Sequence, residues 1–262
     1  MRDYWRKAMF RIKQYTKDIL ATTVGTMLNV VFSFEEPLVL NYHGITDVDD
    51  FDMKYVNDVR YRDFVKQITI LRELKYNIVS LNEFIHLSED GELTASHCLI
   101  TFDDVPASFC KAADYLISQN LPFAVFVCSD YANKGKPNWA GWDLLKNIDK
   151  TGMVGFGTHS TSHPNMKELD VNSVHNEIEK SMEIVKSNLV HVNDVFAFPY
   201  GQYSRSLIDT TRKVGIDFVF LTDCKLGRQT LARLSAFRRI PIGSYDSERI
   251  FMKKIRGKYR YF

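Results

Sequence analysis

Leu99-Ile100-Thr101-Phe102-Asp103-Asp104 is a run of apolar and β-branched residues cut off by two adjacent carboxylates. The run reads as a buried strand, and the pair that ends it is chemically unusual. Neighbouring carboxylates repel each other and are costly to desolvate unless a cation or a shared proton compensates them. Downstream, the strand-like run Met153–Thr158 ends in His159-Ser160-Thr161-Ser162-His163. Two His residues four apart can face one point, and imidazole with carboxylate is the ligand set of a catalytic zinc-type site. The residues point to a metal-dependent hydrolase.

Outward from these runs the chain alternates between strand and helix patterns. Strand signals lie at Pro37–Tyr42, Asn77–Ser80, Cys98–Phe102, Phe123–Val127, Met153–Thr158, Asp194–Phe198, Ile216–Leu221 and Phe237–Ile242. Helix signals lie at Arg62–Leu74, from Leu81 onward, and at Ala107–Ser118, Trp139–Asp149 and Ser204–Val214. Asp170 is the expected N-cap of a long helix with the stripe Val174, Ile178, Met182, Val185 and Leu189. Repeated strand–helix units with short links predict a parallel sheet, closed or open. His43, Asp103-Asp104, His159 and Pro199-Tyr200-Gly201 each follow a strand. A barrel gathers the carboxyl ends of its strands into one mouth, whereas an open sheet spreads them apart, so a barrel is expected.

At 262 residues, 45% hydrophobic and 25% charged, the chain is long enough for one α/β barrel with a full core. Its net charge of +2 is unevenly spread. Residues 1–20 carry six Lys or Arg against two Asp, and residues 248–262 carry six against one Glu, which leaves an acidic body. That pattern argues against a nucleic-acid binder with a broad positive face. The expected organisation is a basic amphipathic N-terminal extension over 1–36, a barrel over 37–245 and a basic C-terminal tail over 246–262. In the extension, Arg2, Arg6, Lys7, Arg11, Lys13 and Lys17 interleave with Trp5, Phe10, Ile12 and Tyr15. Such a helix either lies on an anionic membrane surface or packs on the outside of the barrel. Ala21 to Phe34 is short and polar for a membrane span, an uncleaved anchor being the alternative, and no removable signal peptide is recognised. A cytoplasmic location is expected, with peripheral membrane contact in the first of the two readings of the basic helix. Cys98, Cys110, Cys128 and Cys224 form no CxxC and are read as core residues of a reducing compartment.

Thr101-Phe102-Asp103-Asp104, His159-Ser160-Thr161-Ser162-His163 and Phe198-Pro199-Tyr200-Gly201 resemble the first three motifs of the polysaccharide deacetylases. This is the NodB-homology, carbohydrate esterase family 4 group. The Tyr42-His43 pair before the Asp-Asp motif is similar to the branch containing the poly-N-acetylglucosamine deacetylases. The resemblance implies a single distorted (β/α) barrel with fewer than eight regular units. It implies that Asp104, His159 and His163 bind one divalent metal, commonly zinc, and that Asp103 is the general base toward metal-bound water. It further implies that His43 protonates the leaving amine and that the Tyr200 backbone N–H meets the oxyanion. Arg239 matches the position of an Arg that keeps Asp103 ionised, a surface ion pair being the alternative. The implied partner is an N-acetylated carbohydrate, and nucleic acid is not expected. The chemistry is consistent with that assignment, since metal coordination lowers the pKa of water from about 15.7 to about 7.

Two features depart from the pattern. Val105-Pro106 stands where Gly usually follows Asp-Asp, and Pro restricts the residue before it, so a different turn is expected. Ala197 stands where many members carry an Arg. Three functions follow: removal of N-acetyl groups from amino sugars, a catalytically impaired barrel that binds a glycan or partner, and a metal amidohydrolase of small N-acyl compounds.

Overall fold

The computed structural model describes residues 36–47, 57–135, 137–222 and 224–257. The expected basic extension, apart from Glu36, and the last five residues lie outside the described residues. Among the described residues no helix is long and apolar enough to cross a membrane.

Among the described residues, ten strands and nine α-helices follow one another. They are β1 (Leu38–Tyr42), β2 (Ile45–Thr46), β3 (Val59–Arg60), α1 (Tyr61–Glu73), β4 (Asn77–Ile78), α2 (Leu81–Glu89) and β5 (His97–Asp103). Next come α3 (Cys110–Ser118), β6 (Phe123–Val127), α4 (Ser129–Lys134), α5 (Trp142–Asp149), β7 (Val154–Thr158) and α6 (Val171–Asn188). The described elements end with β8 (Val192–Ala197), α7 (Arg205–Lys213), β9 (Phe218–Thr222), α8 (Arg228–Arg233), β10 (Ala236–Pro241) and α9 (Glu248–Ile255). Seven strands run parallel in the order β1-β10-β9-β8-β7-β6-β5, and β5 pairs again with β1 from Leu38↔Cys98 to Tyr42↔Phe102. The sheet is therefore a closed seven-stranded barrel, as the clustering of polar residues at strand ends requires. Short β4 covers only the start of β5, through Asn77↔His97 and Ile78↔Cys98.

Alternation along the strands sorts side chains to the two faces. Val39, Leu99, Ala124, Phe126, Val195, Ala197 and Phe220 fill the barrel, and Leu81 and Phe84 of α2 join that inner cluster. Their neighbours Leu38, Leu40, Ile100, Phe102, Val125 and Phe156 face outward onto the helices. Phe196, Val219 and Leu221 do the same against α6 and α7, where Val174, Ile178 and Met182 are buried as the helical stripe predicts. Gly157 on β7 is required by this packing. A Cβ there would lie 2.5 Å from Val195 and 2.9 Å from the Phe126 ring. On four of the seven inward rows a polar layer comes two positions further on: Asn41 after Val39, Asp103 after Thr101, His159 after Gly157 and Arg239 after Phe237.

Three local expectations change. Trp139 does not open a helix: it forms an antiparallel bridge with Pro106, and α5 starts at Trp142. Gly135 and Gly141 break the helical pattern on either side. The segment assigned by composition to a basic tail begins as α9, and Phe251 and Ile255 of that helix pack into the outer core. The Val105-Pro106 turn does adopt positive φ, at 64° for Asp104 and 51° for Val105. A β-branched residue there is strained. Val105 is nevertheless fully buried, its N–H donates to Asp103 O at 2.7 Å, and its carbonyl accepts the Ala140 N–H at 2.9 Å. Burial and the bridge to the 138–140 segment outweigh the local preference.

Candidate metal centre

Asp103 ends β5 on the inner face and is 2% exposed. Arg239 of β10 donates Nη1–H to Oδ1 at 2.6 Å and Nη2–H to Oδ2 at 2.7 Å. Asn41 of β1 adds an Nδ2–H bond to Oδ2 at 2.7 Å. Burial alone would raise the Asp103 carboxyl, but the Arg239 guanidinium, with lesser help from His159 and His43, holds it far below the usual carboxylate range. Arg239 is itself 2% exposed and lies over the Phe126 ring at 5.1 Å. It forms a buried bidentate pair, not a surface one.

Asp104 turns away from the strand, and the positive φ aims its carboxylate across the mouth. Asp104 Oδ1 lies 3.1 Å from His163 Nε2 and 3.5 Å from His159 Nε2, while Oδ2 is 3.9 Å from His43 Nε2. One ligand atom each from Asp104, His159 and His163 falls within a 4.8 Å cluster. His159 Nδ1 is 2.7 Å from the Ala197 carbonyl, which can only accept, so Nδ1 carries the proton and Nε2 presents a lone pair. A lone pair facing a carboxylate oxygen calls for a cation between them. Asp104 Oδ1 and His163 Nδ1 are also buried without a hydrogen-bond partner among the described residues. Two imidazoles and one carboxylate, with one side open, fit a catalytic divalent metal. Burial lowers the His159 pKa beyond what the nearby carboxylates restore, favouring the neutral ligand form. For His163 burial acts the same way but is outweighed by Asp104, and its pKa rises.

The loop between the two His residues is clasped from two sides. The β6–α4 junction donates Ser129 N–H to Ser160 O at 3.3 Å and Asp130 N–H to Thr161 O at 2.9 Å. Ser160 Oγ accepts the His163 N–H at 3.0 Å. On the opposite side stands Glu177 of α6, which receives Thr161 N–H and Ser162 N–H. Tyr200 sits in the Pro199–Gly201 3-10 turn at φ 56°, with its side chain 66% exposed and its ring 4.5 Å from that of His163. Tyr131 stacks on Trp139 at 3.8 Å and on His163 at 5.7 Å, so Trp139 is a second-row aromatic behind Tyr131. Five of the eight non-glycine residues with positive φ among the described residues (Asp104, Val105, Ser160, His163 and Tyr200) surround this mouth. Such clustering is a mark of functional sites.

All seven singled-out residues thus lie at one end of the barrel. Asn41 and Glu177 were not singled out. Asn41 had one signal, a polar residue at an inward position of an otherwise apolar strand. Glu177 had none, being one of several acidic residues on an amphipathic helix. His86, His97, His175 and His191 pair instead with Glu89, Thr94, Glu179 and Asp149.

Residues 90–219 match the family model for polysaccharide deacetylase. No curated protein matches the chain in sequence. Among solved structures, the chain is similar to Streptococcus pyogenes deacetylase PplD, in complex with acetate. The identity is 18%, over 85% of this chain and 98% of that one, at a TM-score of 0.72. It is also similar to IcaB from Ammonifex degensii, with 18% identity over 87% and 98% of the two chains and a TM-score of 0.69. A de-N-acetylase from Aggregatibacter actinomycetemcomitans shares 16% identity over 82% and 98%, with a TM-score of 0.69. At these identities the structural matches show a shared fold.

Proposed function

We propose, from the match of residues 90–219 to the polysaccharide deacetylase model, that the protein removes N-acetyl groups from amino sugars of a polysaccharide or glycan precursor. In this reading Asp104, His159 and His163 hold one divalent metal ion, with zinc favoured by the two nitrogen ligands and one oxygen. The carrying observation is the cup of three ligand atoms within 4.8 Å beside a second, ionised carboxylate. A divalent cation in the cup would supply Lewis acidity, acidifying water and polarising the acetamide carbonyl.

The chain's own groups do the rest. Asp103 takes the proton from the attacking water at Oδ1, which accepts one hydrogen bond where Oδ2 accepts two. A carboxyl held this low is a weak base, so its contribution rests on permanent ionisation and fixed placement. His43 Nε2, facing the cup across Asp104, delivers a proton to the departing amine nitrogen as the C–N bond breaks. The Tyr200 backbone N–H, fixed by the positive-φ turn, meets the oxygen that gains negative charge. The exposed Tyr200 ring, set edge-on against the His163 ring, offers an apolar face to a pyranose ring. The basic ends of the chain support a location beside an anionic membrane, to be tested by salt-sensitive binding to anionic vesicles. Incubation with N-acetylglucosamine oligomers, read by mass spectrometry, tests the main proposal. Loss of acetyl groups is expected from the wild type and not from Asp103→Asn; unchanged oligomers from a folded, metal-loaded protein would refute it.

A further inference from the structure

Helix α6 runs past the outside of β7 and, at two points one helical turn apart, touches the end of that strand and the His159–His163 loop that follows it. At the first, Ser181 Oγ hydrogen-bonds Thr158 Oγ1, the residue immediately before His159. At the second, Glu177 gathers the two residues immediately before His163. Its Oε2 accepts Thr161 N–H at 3.0 Å and Ser162 N–H at 2.9 Å, and its Oε1 accepts Ser162 Oγ–H at 2.8 Å. Its backbone carbonyl accepts Thr161 Oγ1–H at 3.1 Å. Residues four apart share one helix face, so a single rigid surface grips the chain just ahead of both imidazoles.

We propose that Glu177, with Ser181 in support, is the positioning element that sets the relative placement of His159 and His163 and thereby the metal affinity of the cup. The inference rests on the metal reading of that cup. Ser160 and His163 both carry positive φ, at 69° and 60°, so the loop is held in a conformation its own residues disfavour. The loop needs an external anchor, and two N–H groups converging on one oxygen demand an acceptor. A carboxylate serves both N–H groups and the Ser162 hydroxyl at once, whereas an amide must present its NH2 toward one side of that cluster. Glu177 touches neither ligand ring in this arrangement. It acts through the backbone between them.

The test is cobalt(II) binding to metal-stripped full-length protein, read by titration and by the visible absorption spectrum, with thermal unfolding of the stripped protein alongside. Glu177→Gln, Glu177→Ala and Ser181→Ala are compared with wild type and with Asp104→Ala. The expected result is one equivalent bound by wild type, with affinity lowered roughly 10- to 100-fold in Glu177→Ala. Glu177→Gln and Ser181→Ala should fall between, and the Glu177 variants should show an altered spectrum. The stripped variants should unfold within a few degrees of stripped wild type, which separates positioning from loss of fold. Wild-type affinity and spectrum in both Glu177 variants would overturn the proposal while leaving the metal site standing. No cobalt bound by wild type, with Asp104→Ala indistinguishable from it, would overturn the metal reading and this inference together.

Discussion

Arg239 and Asp103, 136 residues apart in sequence, meet on the inner face of the barrel in two parallel hydrogen bonds of 2.6 and 2.7 Å. Both are 2% exposed, so neither charge has water to fall back on. Taking one partner from a buried pair typically costs about 3–5 kcal/mol, because the remaining charge is left uncompensated. Arg239→Met should destabilise the fold by that order in chemical denaturation and should abolish turnover. Loss of activity with unchanged stability would mean the pair is not buried in solution.

The same pair predicts a pH signature. The folded pKa of Asp103 is depressed, so its stabilisation is present above the unfolded value near about 3.9 and lost as pH falls through the folded value. Without Arg239, burial raises the pKa instead. The stability gap between wild type and Arg239→Met should therefore be widest at neutral pH and narrow below about pH 4. A gap independent of pH would show that Asp103 is not the group paired with Arg239.

Gly201 carries φ 63°, and a Cβ there would lie 3.0 Å from the Thr222 carbonyl oxygen. Gly201→Ala should cost about 1–2 kcal/mol through strain and crowding. It should also displace the neighbouring Tyr200 N–H, lowering kcat more than it raises KM. An equal change in both would argue against an oxyanion contact.

Val105 holds φ 51° with its side chain fully buried. Glycine there removes roughly 1–2 kcal/mol of strain but gives up the buried side chain, a loss of about 2–3 kcal/mol. Val105→Gly should therefore be mildly destabilising and keep metal binding. A marked stabilisation would mean the valine packs less well than its burial indicates.

The barrel was legible because strand-ending polar residues recur with helix signals between them, and only a closed parallel sheet gathers those ends. Asp103, Asp104, His159 and His163 were legible because chemistry of that kind is conspicuous beside apolar strands. Arg239 was found only through the resemblance, since an Arg in Arg238-Arg239 gives no local hint of which residue points inward. Phase decides it: Arg239 follows Phe237 on the inner row, while Arg238 reaches Glu36 at 3.5 Å. The positive φ of Val105 was not legible, because the bridge from Pro106 to Trp139 that holds it is a contact no local sequence window contains. Glu177 lies on a helix whose periodicity records only the buried stripe.

The most direct measurement of the central claim is metal content together with acetate release, for wild type, Asp103→Asn and the double variant Asp104→Ala, His159→Ala. The account predicts one metal per chain and acetate release for wild type, and metal without acetate for Asp103→Asn. The double variant should yield neither. Acetate release by the double variant at the wild-type rate, or a folded wild type that holds no metal after incubation with zinc, would contradict it.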